Sequence, residues 1–421
     1  MSSMQAAVLV LLAVLSPLRA QEPAPQGATF GLSDLVTLAL KASPLLGAQD
    51  ARVEEARRSA AQARVWPGPS AEFLVGRKTS GEAGGPSFEL SAAQPLPVTG
   101  KTGLRGELLG LEADARAAQR TGAEVFVSLA VVQGAYEYSA NRRKAAFTDK
   151  RRKRFELIES YLSGRVFPTP QRRAESRIVQ NRLKSVAAEA VQSEAGYKAS
   201  LEKLKAYAPL PSGSYPEVDL RWFSGSGALD EREWLEKALA GNPELRVRRL
   251  GVTSAGLEKS LASREGLPDA ALVASYERSK AGETEKNYGL GLSLSFPTWN
   301  ANRSGVRSAE QKRLSEERQL AFDERKLRSE VTRALVEYEA ARQTVRLYPR
   351  EKLDELDAQL ADADEGFRRG QVDLLTFLEL DGSAAETVAR AFDAQADLAT
   401  KASELLALTA DRDALAKLAS F

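Results

Sequence analysis

Between residues 288 and 296 the large apolar side chains Tyr288, Leu290, Leu292, Leu294 and Phe296 alternate with Gly289, Gly291, Ser293 and Ser295. Period-two alternation puts every bulky side chain on one face of an extended strand and only small ones on the other. Roughly ten tilted residues cross the hydrocarbon of a bilayer, so the stretch is long enough for a barrel strand, although a half-buried strand of a soluble sheet reads the same way. Residues 87–93 repeat the pattern, with Phe88, Leu90 and Ala92 opposite Ser87, Glu89 and Ser91. Segments 70–78 and 270–278 complete two strand pairs, each joined by a polar turn.

The remaining pattern is helical. Residues 33–64 carry a helix period that Trp66-Pro67-Gly68-Pro69 stops. From 102 to 163 there is no proline, and Leu104, Leu108, Leu111, Val125, Leu129, Val132 and Tyr136 recur at mixed three- and four-residue steps, which predicts one very long helix. It breaks around Gly164 and returns as a helix over 171–207. After a linker rich in Pro, Gly and Ser at 208–228, the same order recurs: helix 231–264, strand pair 270–296, a long helix over 304–348 and 350–369, a break at Gly370, and a return over 373–409. Pro44 and Pro243, Pro67 and Pro268, and Phe88 and Tyr288 all stand about 200 residues apart, so residues 21–207 and 229–416 are read as two internal repeats followed by a tail at 417–421.

Helix lengths indicate how the pieces stack. At about 1.5 Å per residue, helix 102–163 is roughly 93 Å long, its return covers roughly 55 Å, and helix 33–64 adds roughly 48 Å. Two short helices stacked end to end therefore match one long one. The second repeat balances in the same way, at roughly 98 Å against about 55 Å and 51 Å. Each half is a rod with a strand hairpin at one end and a tight helical turn at the other.

Composition narrows the function. The chain has 421 residues, 59 Lys+Arg against 57 Asp+Glu, a net charge of +2, and neither cysteine nor histidine. Near-neutral charge implies no general affinity for nucleic acid. The missing residue types exclude disulfide frameworks, zinc fingers, thiol nucleophiles and histidine bases, and the sole methionines, Met1 and Met4, leave no thioether copper site. No catalytic, cofactor or metal site is expected. Residues 6–15 form a short apolar run before a small-residue segment ending at Ala20, which reads as a signal peptide over 1–20.

Four strands cannot close a barrel, and open edges are not tolerated in lipid, so a membrane reading requires several chains. Three would supply twelve strands around an aqueous lumen, which the small or polar Gly289, Gly291, Ser293, Ser295, Ser91 and Glu89 would line. Trp66, Tyr276, Phe296 and Trp299 near strand ends suit interface girdles. The basic run Arg142, Arg143, Lys144, Lys150, Arg151, Arg152, Lys153 and Arg154 has only Phe147 and the neighbouring Phe155 as aromatics and reads as a solvated outer face.

Taken together, these features resemble the TolC superfamily of outer-membrane efflux ducts. The resemblance rests on Ser43-Pro44-Leu45 repeated as Asn242-Pro243-Glu244-Leu245, on the strand-to-helix junctions and on the Gly-centred breaks. Gln94-Pro95-Leu96-Pro97-Val98-Thr99-Gly100-Lys101, the junction from Pro297 to Arg303, and Tyr348-Pro349 are similar to the heavy-metal branch of that superfamily. The resemblance implies a mainly α chain with a membrane β-barrel, assembled as a homotrimer with a twelve-strand barrel in outer-membrane lipid and a twelve-helix periplasmic tunnel. It also implies a periplasmic adaptor docked at the tips Gly164, Arg165, Val166, Gly370, Gln371 and Val372, and an inner-membrane pump of the resistance-nodulation-division type. A tunnel constriction would fall, counting from Gly370, at Thr376 and Glu379, and the tip helices 350–409 would untwist to open it. Rival readings are a type I protein-secretion duct and a soluble periplasmic coiled-coil scaffold or adaptor.

Overall fold

A computed structural model of the chain describes residues 29–80, 83–163, 170–210, 217–220, 222–225, 229–281, 283–296 and 301–418. The expected signal peptide lies outside them. The first half runs β1 (Thr29–Gly31), α1 (Leu32–Ala42), α2 (Pro44–Ala63), β2 (Ser70–Ser80), β3 (Ala83–Leu96), α3 (Lys101–Ser163) and α4 (Pro170–Lys205). The second runs β4 (Glu217–Asp219), α5 (Glu231–Gly241), α6 (Pro243–Glu265), β5 (Asp269–Ala281), β6 (Glu283–Ser295), α7 (Arg303–Arg346), α8 (Arg350–Arg368), α9 (Leu374–Thr409) and α10 (Arg412–Ala416). Among the described residues no helix is long and apolar enough to cross a membrane.

The 63 residues of α3 form one helix of roughly 95 Å. Its two halves have different partners. Arg64, just past the end of α2, and Asp50 of α2 lie against Gly106 and Arg120 near its start, whereas Lys203 and Glu189 of α4 pair with Glu137 and Arg151 further on. Helix α7 is flanked in the same manner by α6 at its start, through Arg248–Asp323, and by α9 further on, through Lys401–Glu337. Because α3 contacts α2, α4, α6 and α9, its buried positions are spread around the cylinder rather than confined to one stripe.

Two sequence expectations need correction. Helices 33–64 and 231–264 are each two helices, interrupted at Ser43 and Asn242, whose backbones are extended (φ −68°, ψ 115° and φ −61°, ψ 120°). Proline clashes with a helical preceding residue, so the chain steps out for one residue and restarts with Pro44 or Pro243 at the first helical position. The 208–228 segment is not simply a linker: Glu217–Asp219 pairs in parallel with Thr29–Gly31. Just beyond it, Phe223 lies 6.3 Å from Tyr136 of α3, and Trp222 lies 6.3 Å from Phe392 of α9. This segment straps the middle of the rod.

The core has two parts. The larger joins α1, α5 and the middle of α3, α7 and α9 around Leu35, Val131, Tyr138, Leu204, Tyr338 and Leu398. A smaller one near the helical tips gathers Phe155, Ile158, Val179, Leu374 and Phe377. Between them lies a buried polar contact. Arg151 donates from Nε to Asp381 Oδ2 at 2.7 Å and from Nη1 to Glu189 at 2.6 Å, with Arg154 and Arg182 at 4.0 and 3.9 Å from the same aspartate. The basic run is therefore not all solvated, because Arg151 is only 3% exposed.

Candidate functional site

Strands β2, β3, β5 and β6 form one antiparallel sheet in the order β2-β3-β5-β6. The central strands come from different halves of the chain, and β2 and β6 are edges, each paired on one side only among the described residues. The strands run to 11, 14, 13 and 13 residues, longer than the alternation alone marked out.

Register sorts the side chains by face. One face carries the rows Leu96–Ala270–Leu294, Gln94–Leu272–Leu292, Ala71–Ala92–Ala274–Leu290 and Phe73–Leu90–Tyr276–Tyr288, read from the helical end toward the turns. Rings from all four strands form a ribbon, with Phe73–Phe88 at 6.2 Å, Phe88–Tyr276 at 5.9 Å and Tyr276–Tyr288 at 5.2 Å. The apolar face has no cover among the described residues: Tyr288, Leu290, Leu292, Leu294 and Phe296 are exposed, Leu290 by 80%. The opposite face carries Gly289, Gly291, Ser293, Ser275 and Ser91 with the acids Glu72, Glu89, Glu277 and Glu285. Lys78 on that face sits 3.1 Å from Glu285 and 3.8 Å from Glu277.

At the far end of the rod, α8 closes through Gly370, whose φ of +77° is the left-handed conformation that ends a helix. Gln371 N–H and Val372 N–H both donate to the Gly366 carbonyl, at 2.8 and 3.2 Å. Asp373 then caps α9, accepting from Thr376 N–H at 3.0 Å and from the Thr376 hydroxyl at 2.6 Å. The Thr376 hydroxyl, followed by the Thr376 N–H, holds the Asp373 carboxyl below the usual carboxylate range.

This geometry redistributes the tip residues singled out from the sequence. Gly370, Gln371, Thr376 and Glu379 are exposed, and Glu379 makes no ion pair with a described residue. Val372, named with the adaptor-docking tips, is not an exposed apolar contact. It is half-buried against the tip core because the αL turn at Gly370 folds it back over Gly366. The exposed apolar residue is Leu375, at 73%, on the same helical face as Glu379. The i, i+4 spacing was the signal for it. Gly164, Arg165 and Val166 lie outside the described residues, as do Pro297 to Asn300 of the junction after β6 and, with them, Trp299. Trp66 is exposed at the base of β2. Among the described residues no cluster of acids could hold a metal ion.

Long helices paired along a rod, ending in a four-stranded sheet whose apolar face and both edges are open, define the protomer fold of a TolC-like outer-membrane channel. Residues 234–411 match the outer membrane efflux protein family. Among solved structures, the chain resembles CusC, described as undergoing conformational changes that accompany folding and transmembrane channel formation (TM-score 0.69, 14% identity, covering 92% of this chain and 98% of that one). It also resembles the Campylobacter jejuni CmeC outer membrane channel (0.69, 15%, 100% and 97%) and the Vibrio cholerae outer membrane protein VceC (0.66, 18%, 90% and 96%). No curated protein sequence matches the chain. At these identities the likeness is one of fold, and it is to channels rather than enzymes.

Proposed function

We propose that this chain is one protomer of a homotrimeric outer-membrane exit duct, passing metal cations or small molecules received from a periplasmic adaptor and an inner-membrane pump. The observation that carries the reading is the sheet. It leaves a continuous apolar face and two unpaired edges exposed, which is costly in water, and both are satisfied when three copies join β2 to β6 into a twelve-stranded barrel in lipid. The acid-bearing opposite face then lines the lumen, and Glu379 repeated about the axis favours cations at the constriction near Thr376. These acids support a cationic cargo, in keeping with the heavy-metal branch. The adaptor meets the tips at Gly370, Gln371 and the neighbouring Leu375, with Gly164, Arg165 and Val166 at the tip of the other hairpin.

Replacing Leu292 and Leu294 by Asp tests the reading. Charges on the lipid face should abolish heat-resistant oligomers in outer-membrane fractions, while the same substitutions on a soluble scaffold would leave assembly unchanged. In planar bilayers, Glu379→Gln should lower cation over anion permeability, and an unaltered reversal potential would remove Glu379 from the constriction.

A further inference from the structure

The apolar face of the sheet ends in a band of charge of one sign. Beyond the row Phe73–Leu90–Tyr276–Tyr288, the next cross-strand row is Val75–Phe88–Arg278–Lys286. After it come Arg77, paired with Pro86, and Lys280, paired with Thr284. Arg77, Arg278, Lys280 and Lys286 are all exposed, and none makes an ion pair with a described residue. No carboxylate occupies this face at any described position of the four strands. The acids Glu72, Glu89, Asp269, Glu277, Glu283 and Glu285 all stand on the other face, where the sole base is Lys78.

This segregation is not what solubility alone would produce. A solvated rim mixes signs, and like charges in adjacent positions of one row repel, as Arg278 and Lys286 do. The band also sits at a defined depth. From Phe296 to Lys286 the strand advances ten residues, about 34 Å at 3.4 Å per residue, or roughly 26 Å along the normal when tilted near 40°, which is the height of a barrel's apolar belt. The cations therefore begin where the hydrocarbon ends, in the row of Phe88 at the outer margin of the aromatic ribbon. Long Arg and Lys side chains rooted there reach headgroup oxygens while their stems stay in the apolar layer.

We infer that Arg77, Arg278, Lys280 and Lys286 form a docking belt for phosphorylated lipid headgroups in the leaflet at the turn end of the barrel. The inference rests on the barrel reading above and adds a partner to it. Charge complementarity selects the occupant: four cations in two successive rows, with no ion-pair partner among the described residues, match the phosphates of an anionic glycolipid, and guanidinium groups bind phosphate in bidentate fashion.

The test uses the full-length assembled protein in detergent, titrated with bis-phosphorylated lipid A or its dephosphorylated form and read by native mass spectrometry. Wild-type oligomers should retain the phosphorylated lipid, and the R77Q/R278Q/K280Q/K286Q variant should lose about tenfold or more of that binding. The pairs R278Q/K286Q and R77Q/K280Q should each lose part of it, and lumen-facing K78Q none. Equal retention by the wild type and the quadruple variant, or equal binding of the dephosphorylated lipid, would overturn the belt. Heat-resistant oligomers of each variant report the barrel separately. Intact oligomers without lipid selectivity sink the belt alone, whereas a wild-type chain recovered only in the soluble fraction sinks the duct and the belt together.

Discussion

Arg151 and Asp381, 230 residues apart in sequence, meet in the interior, with Arg151 Nε 2.7 Å from Asp381 Oδ2 and the aspartate side chain fully buried. The pair joins α3 to α9 between two apolar cores, and Glu189 extends it to α4. Removing one partner leaves a buried charge without compensation. Asp381→Ala or Arg151→Ala should therefore cost about 3–5 kcal/mol, seen as a large drop in the thermal midpoint of the helical signal. The double variant R151M/D381L should recover most of that loss, since apolar residues of similar volume replace such pairs at little cost. If both single variants melt like the wild type, the pair is not a structural tie.

The two proline-led helix restarts are alike in sequence and differ in structure. Asn242 accepts from Leu245 N–H at 3.0 Å and donates to the Leu408 carbonyl at 3.3 Å, whereas Ser43 makes no side-chain cap. Asn242→Ala should destabilise by about 1 kcal/mol or more, and Ser43→Ala by less than about 0.5 kcal/mol. Denaturation midpoints of the two variants side by side check the asymmetry.

Helices α6 and α7 are laced by ion pairs, among them Lys259–Glu310 at 2.5 Å and Glu258–Lys312 at 2.6 Å, and within α7 Arg313 pairs with Glu310 at 2.9 Å. Hydrogen bonds from Arg313 and then Lys259 hold the Glu310 carboxyl at about 2. A depressed folded value means that the stabilisation is fully present above the unfolded carboxylate range near pH 4.3 and is lost as pH falls through about 2. Between these limits the wild type should lose more stability than Glu310→Gln, and parallel pH–melting curves for the two proteins would refute the assignment.

At the tip, a Cβ added to Gly370 meets nothing within 4 Å, so the substitution penalty there is backbone strain alone. Gly370→Ala should cost about 1 kcal/mol and Gly370→Asn less, because asparagine tolerates the left-handed region. Amide exchange of residues 366–376 should rise more for the alanine variant.

Much of this was legible in the chain. Alternation at 288–296, its counterpart at 87–93 and the proline and glycine breaks are local signals, and they marked the strands and the long helices. What failed was a matter of contacts across the chain. Val372 counted among the docking tips because the pattern of polar and apolar positions does not show that the turn at Gly370 folds it over Gly366 against the tip core. Arg151 looked solvated among seven other cations because its buried partner lies 230 residues away. The 217–219 strand is three residues long, too short for any periodicity to announce it.

The sequence by itself determined which side chains share a face, since period two in strands and the proline and glycine breaks in helices are properties of the backbone next door. Only the tertiary structure decided which faces meet. Antiparallel register aligned Arg278 with Lys286 and set every acid of the sheet opposite them, a sorting that no single strand reveals because it depends on how four strands from two halves of the chain are aligned.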